Sequence, residues 1–507
     1  MSPEFQLPHV AARLAPAIHA HAVRAHAACA LTAVVLTIAP ARFVFGQRAD
    51  RTAAGNGSIR IPFEKYTLAN GLNVVLSEDR STPTVAVEVI YHVGSKNELA
   101  GHTGFAHLFE HVMFTGSGHV PYGLHDKFTE GVGGSNNGQT YFDWTRYWET
   151  DPSNYLETAL WLESDRMGFL LDSLSDAKFR AQRDIVKNER RESYDNQPYG
   201  RDREVIGYAM YPQTNPYSWP TIGRMQDLTS ATVEDVKRFF RLYYAPSNAT
   251  LVIVGDFDPA TAKSWVAKYF SDIPRGEPIT RPTVGPPALH GEKRLTLEDR
   301  VQVPRLFISW PSANRHSADQ PPLDLLSDIL GGSRISRITK ALVYDAQSAT
   351  AVSVYQNPSE NAGQFEIIAT PRPGHTLTEI ETQVDSVLDG IKRDGPTADE
   401  LRRVKAGQQL DFIRGLQSNL GKALELGEDQ TYFNDPSYTF RVEYPETQAV
   451  TATDIKRVAN RYLGSSRVVL STVPLGHPEL AAHADRSTVV TDPFTENSKA
   501  QRSEVKP

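Results

Sequence analysis

Apolar residues in the first folded stretch alternate with polar ones. Two such runs, Glu64 to Leu68 and Leu72 to Leu76, flank Asn70-Gly71, and Asn-Gly between alternating apolar residues predicts a two-residue hairpin. Thr84 to Val93 is rich in β-branched residues and reads as a strand. The period then changes. Phe105, Leu108, Phe109, Val112 and Met113 recur at helical spacing within a segment from Thr103 to Phe114. A Gly-rich bend from Gly131 to Thr140 leads into a further strand-like run, Tyr141 to Tyr147. Helical patterns follow from about Ser153 to Leu171 and from Asp176 to Tyr194.

The same pattern of helix then strand occurs twice further on. Thr232 to Tyr243 precedes a strand at Ala249 to Val254, and Thr451 to Tyr462 precedes one at Arg467 to Val473. Thr232/Thr451, Asp235/Asp454, Lys237/Lys456, Arg238/Arg457, Tyr243/Tyr462, Ser247/Ser466, Leu251/Leu470 and Val254/Val473 are identical pairs, all 219 residues apart. Eight identities at one offset point to duplication. The expected fold is therefore α+β: two homologous halves, each a largely antiparallel sheet packed with helices. The halves are placed at 59–276 and 295–476, joined by a Pro-rich linker at 277–294 that carries Pro278, Pro282, Pro286 and Pro287.

Composition narrows the class. With 507 residues the chain is long enough for more than one domain, and 22% charged residues fit a globular protein. A net charge of -7 and a pI near 6.1 give no reason to expect nucleic acid as a partner. Cys29 is the single cysteine and lies in the N-terminal segment, so the folded part has neither disulfide nor thiol chemistry. Residues 1–58 read as a signal peptide and disordered leader. Arg13 and Arg24 precede an uncharged apolar stretch, Ala27 to Ala39, and Ala39-Pro40-Ala41 has the form of a cleavage site. That stretch is too short for a stable membrane span, and Cys29 precedes it, the wrong order for a lipid anchor. Export, to the periplasm or outside the cell, is the expectation. A mitochondrial-type transit peptide is the alternative, because Glu4 is the sole acid before Asp50. The tail at 477–507 is polar and aperiodic and is expected to be disordered.

The candidate chemistry lies in the helix that follows the first long strand. It reads His107-Leu-Phe-Glu110-His111. His107 and His111, four apart, project from one helix face, and Glu110 stands at its edge. Two neutral imidazoles so placed can reach one tetrahedral Zn2+, and the adjacent carboxylate can deprotonate a metal-activated water. The order is that of an inverzincin. Burying two histidines and a glutamate among such apolar neighbours without a common partner would be costly.

A third ligand must come from elsewhere. Downstream, Arg183-Asp-Ile-Val-Lys-Asn-Glu189 follows His111 with 77 residues between. With these two segments in view, the chain resembles the pitrilysin (insulinase) family of metallopeptidases, and within it the bacterial relatives of the mitochondrial processing peptidase. That family pairs His-x-x-Glu-His with a Glu some 75 to 80 residues on, in a helix reading Arg-x-Val-Val-x-x-Glu. The resemblance implies His107, His111 and Glu189 as zinc ligands, Glu110 as general base, and peptide bonds of unfolded substrates as the target. Gln182 stands where many members have a Glu that tunes the ligands from behind. Asn137-Gly138-Gln139-Thr140 resembles the family's Asn-Ala-x-Thr, on a strand edge that pairs with bound peptide, and departs from it at Gly138. The resemblance also implies a clamshell of the two halves. The second half has no His at its counterpart of the metal helix, near Asp324 to Leu330, so one zinc per chain is expected.

One departure bears on activity. The family's later half carries an Arg and a Tyr that stabilise the oxyanion, and Val343 and Thr350 stand in their places. Neither side chain can supply a cationic donor. Tyr344 could substitute with a shift of register. The resemblance therefore leaves open an enzyme that works alone or as a homodimer, a heterodimer whose partner supplies the Arg and Tyr, and a non-catalytic assembly subunit. A peptide-binding or transport module would not need Glu110 beside two histidines.

Overall fold

Five strands recur in the same spatial order in each half, and each sheet adds a different edge strand beside them. The computed structural model describes residues 59–490 apart from 283, 286 and 288. In the first half, β1 (Glu64–Thr67), β2 (Asn73–Glu78), β3 (Thr84–Tyr91), β4 (Ser135–Thr140), β5 (Thr145–Pro152) and β6 (Ala249–Gly255) assemble in the order β1-β2-β6-β3-β5-β4. In the second, β7 (Lys293–Asp299), β8 (Arg305–Ser312), β9 (Ala349–Pro358), β10 (Gly363–Pro371), β11 (Val468–Pro474) and β12 (Thr488–Val490) assemble as β12-β7-β11-β8-β10-β9. β6 and β11, whose first residues are 219 apart, hold the same place in their sheets. The parallel neighbours are β2–β6, β7–β11 and β7–β12; all other pairs are antiparallel.

Fifteen α-helical segments lie between these strands among the described residues. They are α1 (Phe105–Val112), α2 (Leu124–Glu130), α3 (Leu156–Ser173), α4 (Asp176–Arg190), α5 (Asp202–Met210), α6 (Met225–Ser230), α7 (Val233–Tyr243) and α8 (Pro259–Phe270) in the first half. The second half has α9 (Gln320–Gly331), α10 (Arg337–Thr339), α11 (Leu377–Asp394), α12 (Ala398–Gly415), α13 (Asn419–Phe433), α14 (Tyr444–Ala449) and α15 (Ala452–Tyr462). The repeated Thr and Asp are reciprocal helix caps. Thr232 and Asp235 close a capping box on α7, and Thr451 and Asp454 close the same box on α15.

Each sheet is covered on both faces, and this explains why β3 is almost continuously apolar. On one face of the first sheet, Val85, Val87 and Val89 pack with Leu108, Phe109, Leu160 and Phe240 from that half's own helices. On the other face, Ala86, Val252 and Val254 meet Ala423 and Leu426 of α13, a helix of the second half. The exchange is mutual: Val205, Ile206 and Ala209 of α5, from the first half, pack with Leu297, Phe307, Val468 and Leu470 of the second sheet. Gly427 of α13 lies over Glu88 of β3. A Cβ there would stand 2.2 Å from a Glu88 carboxylate oxygen, so any larger residue would have to displace that side chain. Burial pushes the Glu88 carboxyl up to about 8, although Arg146 stands beside it.

The halves are also joined by polar contacts at the tip of the β9–β10 hairpin. Glu360 there meets Lys96 of the first half and lies 2.6 Å from Nε2 of His92. The backbone N–H of Glu360 donates to Asp143 at 2.9 Å, which also accepts from Tyr217 and Tyr432. Burial pushes the Glu360 carboxyl upward, but hydrogen bonds from His92 and Lys96 hold it far below the usual carboxylate range.

Two expectations change. Leu68 N–H bonds to Leu72 O at 2.9 Å, so the first hairpin closes through three residues, 69–71, rather than two. Its Asn70 side chain is drawn away to the carbonyls of Phe270 and Ile273 at 2.8 and 3.0 Å. The segment expected as a disordered tail from residue 477 is ordered as far as Val490. Ala482 is buried, and β12 adds a parallel strand to β7. Its three residues are too few to give a periodic signal. The linker also packs, with Leu289 buried against α5. The leader at 1–58 and residues 491–507 lie outside the described residues. Among the described residues no helix is long and apolar enough to cross a membrane.

Candidate metal centre

The histidine helix α1 is held from its N-terminus. Glu98 accepts the backbone N–H groups of Gly104 and Ala106, both at 2.9 Å, so its carboxylate takes two donors that the first turn leaves free. Trp219 Nε1 donates to the same carboxylate at 3.1 Å. Gly104 has φ +88, and a Cβ on Gly223 would stand 2.4 Å from its backbone, so two glycines let these chain segments touch. Leu108, Phe109 and Val112 face the core, which turns His107, Glu110 and His111 the other way.

Glu189 comes from the last turn of α4. The next residue, Arg190, fixes that turn: its guanidinium donates twice to Glu204 of α5, at 3.0 and 3.1 Å, and once to Gly223 O at 2.8 Å. Gly223 is the residue that touches Gly104. One buried cation thus ties the Glu189 end of α4 to the start of α1.

This brings the three distant residues together. Ligand atoms of His107, His111 and Glu189 all lie within 4.8 Å of one another. His107 Nε2 stands 3.8 Å from one Glu189 oxygen and His111 Nε2 stands 3.2 Å from the other. The two rings are 4.9 Å apart, edge to face. The His side chains are largely buried, while the Glu189 side chain is 39% exposed, so the cluster opens to solvent on one side. Burial pushes the His107 imidazole below its ordinary range, favouring the neutral form that coordinates metal. For Glu189 burial acts upward, but His111's hydrogen bond and both imidazoles hold the carboxyl below its usual value. Two imidazoles and one carboxylate with an open side are the donor set of a catalytic zinc site, and these residues fit that ion.

Glu110 is aimed separately. Its carboxylate accepts a hydrogen bond from the Thr140 hydroxyl at 2.7 Å. Thr140 ends β4, which pairs with β5 and has no strand on its other side among the described residues, so Asn137, Gly138, Gln139 and Thr140 lie on an edge strand. Gly138 leaves little room: a Cβ there would meet Glu110 Cγ at 3.1 Å and Phe114 at 3.1 Å. Gln182 is half-buried on α4, seven residues before Glu189. The sequence does not mark the roles of Glu98 and Arg190 or the bond from Thr140 to Glu110, since each depends on how the chain folds back.

Across the chain, Val343 lies in a helical turn at Lys340–Asp345 and Thr350 lies near the start of β9. Thr350 spends its hydroxyl on Thr370 O at 3.2 Å. Tyr344 is 46% exposed.

Comparison with known proteins identifies relatives along most of the described chain. Residues 73–217 match the family model described as Insulinase (Peptidase family M16), and residues 230–408 match the one described as Peptidase M16 inactive domain. The chain is similar to the zinc protease PqqE of Helicobacter pylori, with 30% identity over 404 residues, covering 79% of this chain and 90% of the relative. It is 23% identical to the zinc protease YmxG of Bacillus subtilis over 367 residues, 72% of this chain and 88% of the relative. The crystal structure of a protease from Helicobacter pylori superposes with a TM-score of 0.77 at 28% identity, covering 82% of this chain and 100% of that one. A peptidase M16 inactive domain structure from Pseudomonas fluorescens shares the fold, with a TM-score of 0.72 at 21% identity, covering 85% of this chain and 100% of that one.

Proposed function

The chain belongs to the insulinase (M16) family of zinc peptidases, and from that premise we propose that it is a zinc-dependent endopeptidase acting on unfolded peptides. The observation that carries this reading is the convergence of His107, His111 and Glu189 beside an independently positioned Glu110. Zinc bound by the first three would supply a Lewis acid that polarises a carbonyl and acidifies water. Glu110 takes the proton from the attacking water and returns it to the leaving amine. The free edge of β4 receives the substrate as an added strand, its backbone N–H and C=O groups pairing with Asn137 to Thr140. The layout of residues 1–58 favours an exported, periplasmic or secreted enzyme. The deciding experiment is peptide cleavage with and without a chelator, beside metal analysis of the purified chain. Zinc-dependent cleavage is expected; a chain that folds but carries no zinc would make it a scaffold.

Thr140 links the two parts of this site, because the residue that ends the substrate strand also holds the base. Thr140→Val removes a hydrogen bond to a carboxylate worth about 1.5–3 kcal/mol. It is expected to lower kcat with little change in KM, and Thr140→Ser to restore it. An unchanged kcat in the valine variant would detach Thr140 from the base.

A second reading, a peptidase whose site is completed by a related chain, is favoured by Val343 and Thr350.

A further inference from the structure

Beneath α2 lies a second convergence of ligand side chains, which the site above does not use. His125 of α2, Glu149 of β5 and Glu163 of α3 each offer a ligand atom within 4.8 Å of the other two. His125 is 8% exposed, and both glutamates are fully buried. Tyr147, Glu149 and Asp151 alternate along β5, so all three turn to the face covered by the first half's own helices. Phe114 packs on both His125 and Tyr147.

Burial is not fully offset there: it pushes the Glu149 and Glu163 carboxyls up, and several polar atoms lack a hydrogen bond. Arg166 is the cation of the group. It pairs with Glu163 through two of its nitrogens and lies over the rings of Tyr147 and Phe114. Glu149, Glu163 and the neighbouring buried Asp151 therefore face a single guanidinium. Both His125 nitrogens, Glu149 Oε1 and Asp151 Oδ1 are buried without a hydrogen bond. The other Glu149 oxygen accepts from Thr129 at 3.3 Å. Buried groups of this kind are costly unless something joins them. A proton on Glu149 would serve His125 through a hydrogen bond, and none joins them. A divalent cation meets both demands: it fills the space between three ligand atoms that do not bond one another, and beside Arg166 it stabilises the ionised form of carboxyls that burial disfavours.

We propose that His125, Glu149 and Glu163 hold a second divalent cation, zinc or manganese, suited to one imidazole and two carboxylates. Burial, aided by Arg166, pushes His125 down to about 3, so the imidazole is neutral and ready to coordinate. The ion fastens α2 and α3 to β5. α2 leads into β4 within five residues, and Asn136 of β4 donates to Asp126 of α2 at 3.3 Å, so the site stiffens the strand that ends at Thr140.

Metal analysis of the full chain, grown with zinc and manganese and purified without chelator, tests this. The wild type is expected to carry two equivalents of divalent metal, and His111→Ala/Glu189→Gln to keep one. Adding His125→Phe, or the isosteric Glu149→Gln, should remove the remaining one while the far-ultraviolet circular dichroism stays native. A single equivalent in the wild type that is lost in His111→Ala/Glu189→Gln would overturn the proposal. So would a folded His111→Ala/Glu189→Gln chain free of metal, or metal retained after His125→Phe.

Discussion

Glu110→Gln will slow peptide cleavage by about 10²–10⁴-fold, the usual contribution of a positioned acid–base group, while the zinc content of the chain stays the same. The substitution keeps the size of the side chain and still lets it accept from Thr140 Oγ1, now 2.7 Å from the carboxylate. It leaves His107, His111 and Glu189 untouched, so it separates proton transfer from metal binding. Measuring kcat, KM and bound zinc on one preparation decides the matter. Full activity in a zinc-loaded Glu110→Gln chain would remove Glu110 from the reaction. Loss of zinc together with activity would instead make it a support for the ligands.

The histidine pair was legible because its information is local: helical periodicity alone places His107 and His111 on one face. Glu189 was not legible in that way. Nothing in its surroundings distinguishes it from Glu192 or Asp195 on the same charged segment, and the family pattern was needed to select it. The structure supplies the physical selection: Arg190, locked to Glu204 and Gly223, sets the rotation of that turn. The duplication was legible for a similar reason, since the identities at offset 219 include the capping Thr and Asp of α7 and α15. The exchange of α5 and α13 between halves was hidden, because amphipathic residues do not record which sheet they cover. The β12 strand was hidden by its length, and the His125 cluster because its members come from three separate elements.

The isolated chain should bind zinc yet turn over slowly, and gain about 10²–10³-fold on mixing with a related chain that lacks His-x-x-Glu-His but carries the Arg and Tyr, the worth of a lost oxyanion donor. The argument rests on what occupies those two positions. Val343 has no donor, and the Thr350 hydroxyl is spent on Thr370 O. Arg372 reaches this stretch, but its guanidinium donates to the carbonyls of Val343 and Ala349, at 3.4 and 3.2 Å, and so braces the backbone. An oxyanion donor has to be aimed beforehand at the place where charge develops, and a guanidinium turned onto its own chain is not. Steady-state cleavage of an unstructured peptide by the chain alone, by the partner alone and by the mixture gives the answer. A rise confined to the mixture, and lost when the partner's Arg is replaced, places the donor in trans. Turnover by the chain alone that no partner raises would place it in cis, and a fall in Tyr344→Phe or Arg372→Met would then say which side chain supplies it.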